Sequence, residues 1–305
     1  MQEVFIDYLH YIAGLKNYSQ HTIAAYEKNL SVFENWIQKN DLQVFELTAN
    51  DMHMFVAELA LEKLSPATIN QVLSTIRGFY EFAVRFKLTK VNPAAQIKNI
   101  KQNQRLPNFL FADEMAAFCK SPEGEKHVWQ ARDKALFMCL YSSGCRISEL
   151  VHLNVKDISS DYKSAIVFGK GSKERKVFFA DFAVAALREY LLERKALLDT
   201  MQNKKEPALF LNQKGGRLTA RGVEYIIGRY VESTGSYKKI TPHTFRHSFA
   251  SMLVAKGLDI WIVQELLGHA SISTTQKYTH VTSEQLQNLY HASHPHGAIV
   301  HEERK

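Results

Sequence analysis

Apolar positions in the first hundred residues recur at steps of three and four, the spacing of one helix face. In QHTIAAYEKNLSVFENWIQKN the stripe is Ile23, Tyr26, Leu30, Phe33 and Ile37, and Ser19 stands where an N-cap belongs. The pair Ser65-Pro66, cap then first-turn proline, opens SPATINQVLSTIRGFYEFAVRF. Its apolar face is Ile69, Val72, Leu73, Ile76, Phe79, Tyr80 and Ala83. With a helix near 2–14 and a shorter one over 50–63, the pattern predicts a helical bundle over residues 1–97. The stretch KNIKQNQRLPN, residues 98–108, is polar, basic and aperiodic, and reads as a linker.

Beyond it, ADEMAAFCK and ARDKALFMCLYSSG read as helices, the second stopped by Gly144. Residues 164–180, SAIVFGKGSKERKVFFA, break the helical period: two alternating runs flank a glycine turn, the mark of a hairpin. Helical patterns return at 181–201 and 219–234. HTFRHSFASMLVAKG and DIWIVQELLGH follow as two more helices, the first closed by Gly257. The expected fold is mainly α with one small sheet, in two domains covering residues 1–97 and 109–305. A further helix is expected at 283–292, within a tail of residues 282–305.

Composition narrows the class. Hydrophobic residues are 46% and charged residues 23%, ordinary for a globular chain and too apolar for disorder. No apolar run reaches the roughly 18 to 20 residues of a membrane span, and the start, MQEVFIDYLHYIAG, lacks the basic opening of a signal peptide. Cys119, Cys139 and Cys145 are odd in number and form no CxxC pair, which argues against a disulfide framework or a cysteine zinc site. The expectation is a reduced, cytoplasmic protein. The net charge is +7 and lies mostly after residue 105, where 27 Lys and Arg face 21 Asp and Glu. A polyanionic partner, nucleic acid first, fits that balance.

Four islands carry unusual residues: SGCRISEL (143–150), GKGSKER (169–175), TPHTFRHSFAS (241–251) and LGHASISTTQKYTH (267–280). His243 and His247 are four apart, as in a two-histidine metal site, yet the glutamate of HExxH is absent and no ligand cluster accompanies them. What the islands share is cationic, hydrogen-bonding chemistry: Arg146, Lys170, His243, Arg246 and His269. Such groups suit a phosphodiester, whose transition state gains charge on its non-bridging oxygens, and arginine's planar fork can bind two of these at once. With no metal to make hydroxide, the nucleophile must come from the protein. Tyr278 shares an island with His269 and carries a phenol of ordinary pKa near 10.

In this order the four islands resemble the motifs of the tyrosine recombinases, the lambda-integrase family. The N-terminal YSQHTIAAYEKNL and INQVLSTIRGFYEFA resemble that family's SAM-like core-binding domain, and the ending HVTSEQLQNLYHASHPHG is most similar to the Xer branch, which resolves bacterial chromosome dimers. The resemblance implies a C-shaped clamp on double-stranded DNA and a 3′-phosphotyrosyl intermediate, with no cofactor and no metal. It implies that Tyr278 is the nucleophile, Arg146 and Arg246 the phosphate clamp, and Lys170 the acid for the leaving 5′-oxygen. His243 takes the tyrosine proton or shares in transition-state binding, His269 donates to the phosphate, and Glu149 orients the basic groups.

Candidate DNA contacts outside that set are Ser19, Thr22, Arg77, Lys101, Arg105, Lys173 and Arg175. The expected assembly is a tetramer on two DNA sites, of identical or paralogous chains, with the tail reaching a neighbouring protomer and a septal DNA translocase as activator. A mobile-element or plasmid integrase of the same chemistry is the alternative. A non-catalytic DNA-binding protein would account for the charge but not for the assembled islands. A type IB topoisomerase would not carry the Xer-like ending.

Overall fold

The computed structural model describes residues 1–16, 18–101, 110–124, 129–169, 174–200, 205–233, 240–268 and 283–293. The chain divides into two compact units, Met1–Arg105 and Leu106–Lys305.

The first unit is built from α1 (Glu3–Gly14), α2 (Gln20–Lys39), α3 (Ala49–Leu61) and α4 (Pro66–Arg85). The predicted caps are in place: Ser19 accepts from the Thr22 amide and Ser65 from the Thr68 amide. Both helices run for 20 residues, and their apolar stripes meet α1 and α3 in one core of Phe5, Phe33, Phe55, Ile76 and Phe79. The linker expected from residue 98 begins later than its polarity suggests. Ile97 is buried and Ile100 packs on the same core, while Asn70 holds Ile100 at both its amide (2.8 Å) and its carbonyl (2.9 Å). Two isoleucines placed three residues apart at the start of that polar stretch thus tie it back to the first unit.

The second unit holds α5 (Ala112–Lys120), α6 (Gln130–Ser143), α7 (Ile147–His152), the strands β1 (Ser164–Phe168) and β2 (Glu174–Phe178), α8 (Asp181–Thr200), α9 (Ala220–Ser233), α10 (Pro242–Ala255), α11 (Ile260–Leu267) and α12 (Ser283–Ser293). The strands pair antiparallel as the hairpin reading requires, with Val167 opposite Arg175. At the centre lies α6, buried from Ala131 to Ser143 at every position but the half-buried Lys134. Its one carboxylate, Asp133, is fully buried and is held by Arg132 (2.7 Å), Arg229 (3.0 Å) and the Tyr230 hydroxyl (3.2 Å). A buried charge tolerates that depth because such partners replace its water.

Gly144 ends α6 in the left-handed region, φ +57. A side chain there would meet the Phe249 ring at 2.3 Å, so the glycine permits both the turn and the close approach of α10. The last helix, α12, is seated in its own chain. Tyr290 is buried beside Phe178 and Phe249 and donates its hydroxyl to the Ser142 carbonyl (2.8 Å). No helix among the described residues is long and apolar enough to cross a membrane.

Candidate active site

Arg146 follows the Gly144 turn and stands at the head of α7. Glu149, one turn on, accepts from the Arg146 amide at 2.7 Å and from its guanidinium Nη1 at 2.8 Å. That carboxylate is buried, and its other contact is the Arg175 guanidinium on β2 at 2.6 Å. Burial raises the Glu149 pKa, but Arg175 and Arg146 outweigh it and hold the group below the usual carboxylate value. It is therefore an anion at neutral pH, lying between two cations.

The third arginine arrives from α10. Arg246 donates to the Gly144 carbonyl (2.8 Å) and to the Leu267 carbonyl (2.7 Å). Burial, then the charges of Arg146 and Arg175, push its pKa down to about 10, still protonated at neutral pH. All three arginines converge on the last turn of α11: Arg175 on the Leu266 carbonyl (2.7 Å), Arg246 on that of Leu267 and Arg146 on that of Gly268 (3.3 Å). A helix C-terminus leaves its final carbonyls without intrahelical partners and carries about half a negative charge, so cations there are stabilised. Three guanidiniums against one carboxylate leave the cluster strongly positive. That balance suits the binding of an anion.

Backbone economy makes the convergence possible. Gly268 closes α11 in the left-handed region, φ +66, with its amide bonded to the carbonyls of Gln264 and Glu265. A Cβ there would lie 2.6 Å from the Arg175 side chain. Beside Arg146, an open groove of about 650 Å³ is lined by Ser148, His152, Lys156, Ile166 and Phe168 among others, giving an approach wide enough for an extended ligand. Cys145 is buried, and burial pushes its thiol up to about 11, so it remains protonated and inert at neutral pH.

The sequence-predicted residues divide into three groups. Arg146, Glu149 and Arg246 are brought together, and His243 lies exposed on α10, three residues before Arg246. Arg175, expected from its charge to touch DNA, is turned inward to Glu149 and α11. Strand alternation carried that signal: Glu174 and Lys176 are exposed, whereas Arg175 shares a face with buried Val177. Lys170, His269 and Tyr278, with Lys173 and Arg105, lie outside the described residues. In the first unit, Ser19 and Thr22 form the cap of α2, and Lys101 is exposed. Arg77 braces the chain after α4 through the carbonyls of Ala94 and Ile97 and the side chain of Asn99.

Comparison with known proteins places this arrangement in a family. A model described as Phage integrase family matches residues 108–285, and one described as Phage integrase, N-terminal SAM-like domain matches residues 5–87. Tyrosine recombinase XerC of Treponema denticola is 52% identical over 304 residues, covering 97% of this chain and 100% of its own. Tyrosine recombinase XerC of Listeria innocua is 36% identical over 296 residues, covering 97% of both chains. Among solved structures, XerH site-specific recombinase bound to palindromic difH substrate is 27% identical with a TM-score of 0.70, over 90% of this chain and 80% of that one. A lambda integrase dimer bound to a COC′ core site shares the fold at 18% identity and a TM-score of 0.68, over 88% of this chain and 94% of its own. The chain therefore belongs to the phage integrase family, as a tyrosine recombinase of the Xer type that cleaves and rejoins DNA.

Proposed function

We propose that this recombinase resolves chromosome dimers before cell division, exchanging strands at a site in the replication-terminus region. The observation that carries the cleavage chemistry is the convergence of Arg146 and Arg246 on the end of α11. That end immediately precedes His269 in the sequence. Both arginines there suit the non-bridging oxygens of one scissile phosphate, with Glu149 holding Arg146 in direction.

The chemistry balances without an outside reagent. The Tyr278 oxygen attacks phosphorus as the bond to the 5′-oxygen breaks, giving a 3′-phosphotyrosine and a free 5′-hydroxyl. Lys170 supplies the proton to that leaving oxygen, and the phenol proton passes to His243 or to water. The 5′-hydroxyl of the partner strand then attacks the phosphotyrosine and regenerates the phenol. Bond type is conserved throughout, so the exchange needs neither ATP nor a metal. The catalytic set on this reading is Arg146, Lys170, His243, Arg246, His269 and Tyr278.

The working assembly is a tetramer on two DNA sites, of this chain alone or with a paralogue. Residues 282–305 reach a neighbour within it, and a septal DNA translocase activates it. Support for the chromosomal role comes from the name and the 52% identity of the Treponema relative. The test is footprinting on the host's replication-terminus region, followed by a nicked suicide substrate built on the protected sequence. The unmodified enzyme is expected to give a covalent 3′-linked adduct, and Tyr278→Phe to bind that DNA without one. Adduct from the Phe variant would place the nucleophile elsewhere. Protection only at the ends of a mobile element would overturn the chromosomal role.

A further inference from the structure

Arg175 resembles a DNA contact in sequence, sitting in the basic GKGSKER island, but its surroundings give it different work. It lies on β2 opposite buried Val167 and on the face of buried Val177. Its side chain is 15% exposed, against 37% for Arg146. Its fork is divided between two elements: Nη2 goes to Glu149 and Nη1 to the Leu266 carbonyl. Its Nε is buried with no hydrogen-bond partner among the described residues. The side chain also lies across Gly268 so closely that only a residue without Cβ fits beneath it. Both ends of its fork thus join β2 to α7 and to α11 from a position more buried than that of Arg146, which is the placement of a brace.

We propose that Arg175 is a positioning residue for strand cleavage: by bridging Glu149 to the last turn of α11, it fixes how Arg146 meets the scissile phosphate and where the chain departs toward His269. The inference rests on the assignment of Arg146 and Arg246 to that phosphate. Glu149 divides its charge between two arginines, one oxygen facing Arg146 Nη1 and the other facing Arg175. Without Arg175 the carboxylate has only Arg146 to neutralise it. It then competes with the phosphate for that guanidinium, and the chemical step slows although the DNA still binds. The same loss frees the Leu266 carbonyl and the Arg175 side of Gly268, loosening the turn from which residue 269 starts.

Single-turnover cleavage of the nicked suicide duplex tests this, with the unmodified enzyme, Arg175→Gln and Arg175→Lys compared at saturating protein. For Arg175→Gln the adduct rate is expected to fall about 10- to 100-fold, the range for loss of a group that orients a reacting one. The final adduct yield, the Kd for the duplex and the dependence of that Kd on salt are expected to stay at the unmodified values. Arg175→Lys keeps the charge but cannot reach Glu149 and Leu266 together, and its rate should fall between the two. Combining Arg175→Gln with Glu149→Gln should cost less than the two losses multiplied, because they act through one contact.

A weaker Kd with a salt slope reduced by about one would make Arg175 a phosphate contact and overturn the inference. So would an unchanged rate. So would a reduced yield at an unchanged rate, or failure of both variants to fold, since either leaves only a structural role. Absence of adduct from the unmodified enzyme would overturn the underlying site assignment as well, and is told apart by occurring before any change at Arg175.

Discussion

Gly257 and Gly268 both end helices of the second unit in the left-handed region, and they differ in what lies above them. At Gly257, φ +87, a Cβ would meet nothing within 4 Å; at Gly268, φ +66, it would meet Arg175 Cδ at 2.6 Å and Nε at 2.7 Å. Placing alanine at Gly257 should therefore cost only the backbone term, about 1–2 kcal/mol. At Gly268 the same term applies and the clash must also be relieved. Arg175 cannot simply swing away, because Glu149 holds it at 2.6 Å and the Leu266 carbonyl at 2.7 Å. Giving up one such charge-assisted bond costs about 1.5–3 kcal/mol. Gly268→Ala should thus destabilise by about 2.5–5 kcal/mol, clearly more than Gly257→Ala. Urea unfolding read by tryptophan fluorescence in a Trp36→Phe background reports the second unit, since Trp129 and Trp261 then supply the signal. Equal losses at the two glycines would refute the claim that Arg175 is rigidly held.

Three further outcomes are expected. Glu149 has a folded-state pKa below its unfolded value, so its ion pairs contribute stability above about pH 4.5 that is lost as pH falls through the lower, folded value. The stability gap between the unmodified chain and Glu149→Gln should accordingly shrink from pH 7 toward pH 3, and a constant gap would contradict the pairing. Asp133→Asn removes the charge shared by Arg132 and Arg229 inside the second unit and should cost about 3–5 kcal/mol by urea unfolding. Tyr290→Phe keeps the ring beside Phe178 and Phe249 but loses the bond to the Ser142 carbonyl, which should cost about 1 kcal/mol in the same assay.

Local rules were readable wherever the chain decides locally. Ser19 and Ser65 cap the helices their positions promise, Gly144 stops α6, and the alternation around 164–180 becomes a paired hairpin. Long-range use of a polar side chain was not readable. Arg77 and Arg175 look like surface cations in the sequence, yet both bind carbonyls remote in the chain. Of the short helix α7 the sequence shows only a start near Arg146, because six residues carry too little period. The docking of Ile97 and Ile100 was hidden by the lysines and asparagine around them. The grouping of Arg146, Glu149 and Arg246 was legible because their motifs are compact. That three arginines cap three successive carbonyls follows only from the fold.

The seat of Tyr290 also has a consequence for assembly. A helix joined to the body that holds it competes for its own pocket at an effective concentration that reaches the millimolar range for a short tether. A neighbour's tail can win that contest only where DNA keeps the two copies at comparable proximity. On the assembly proposed above, the occupancy of one aromatic pocket would make a tail-mediated contact between copies a reporter of colocalisation on DNA, largely insensitive to how much recombinase is free in solution.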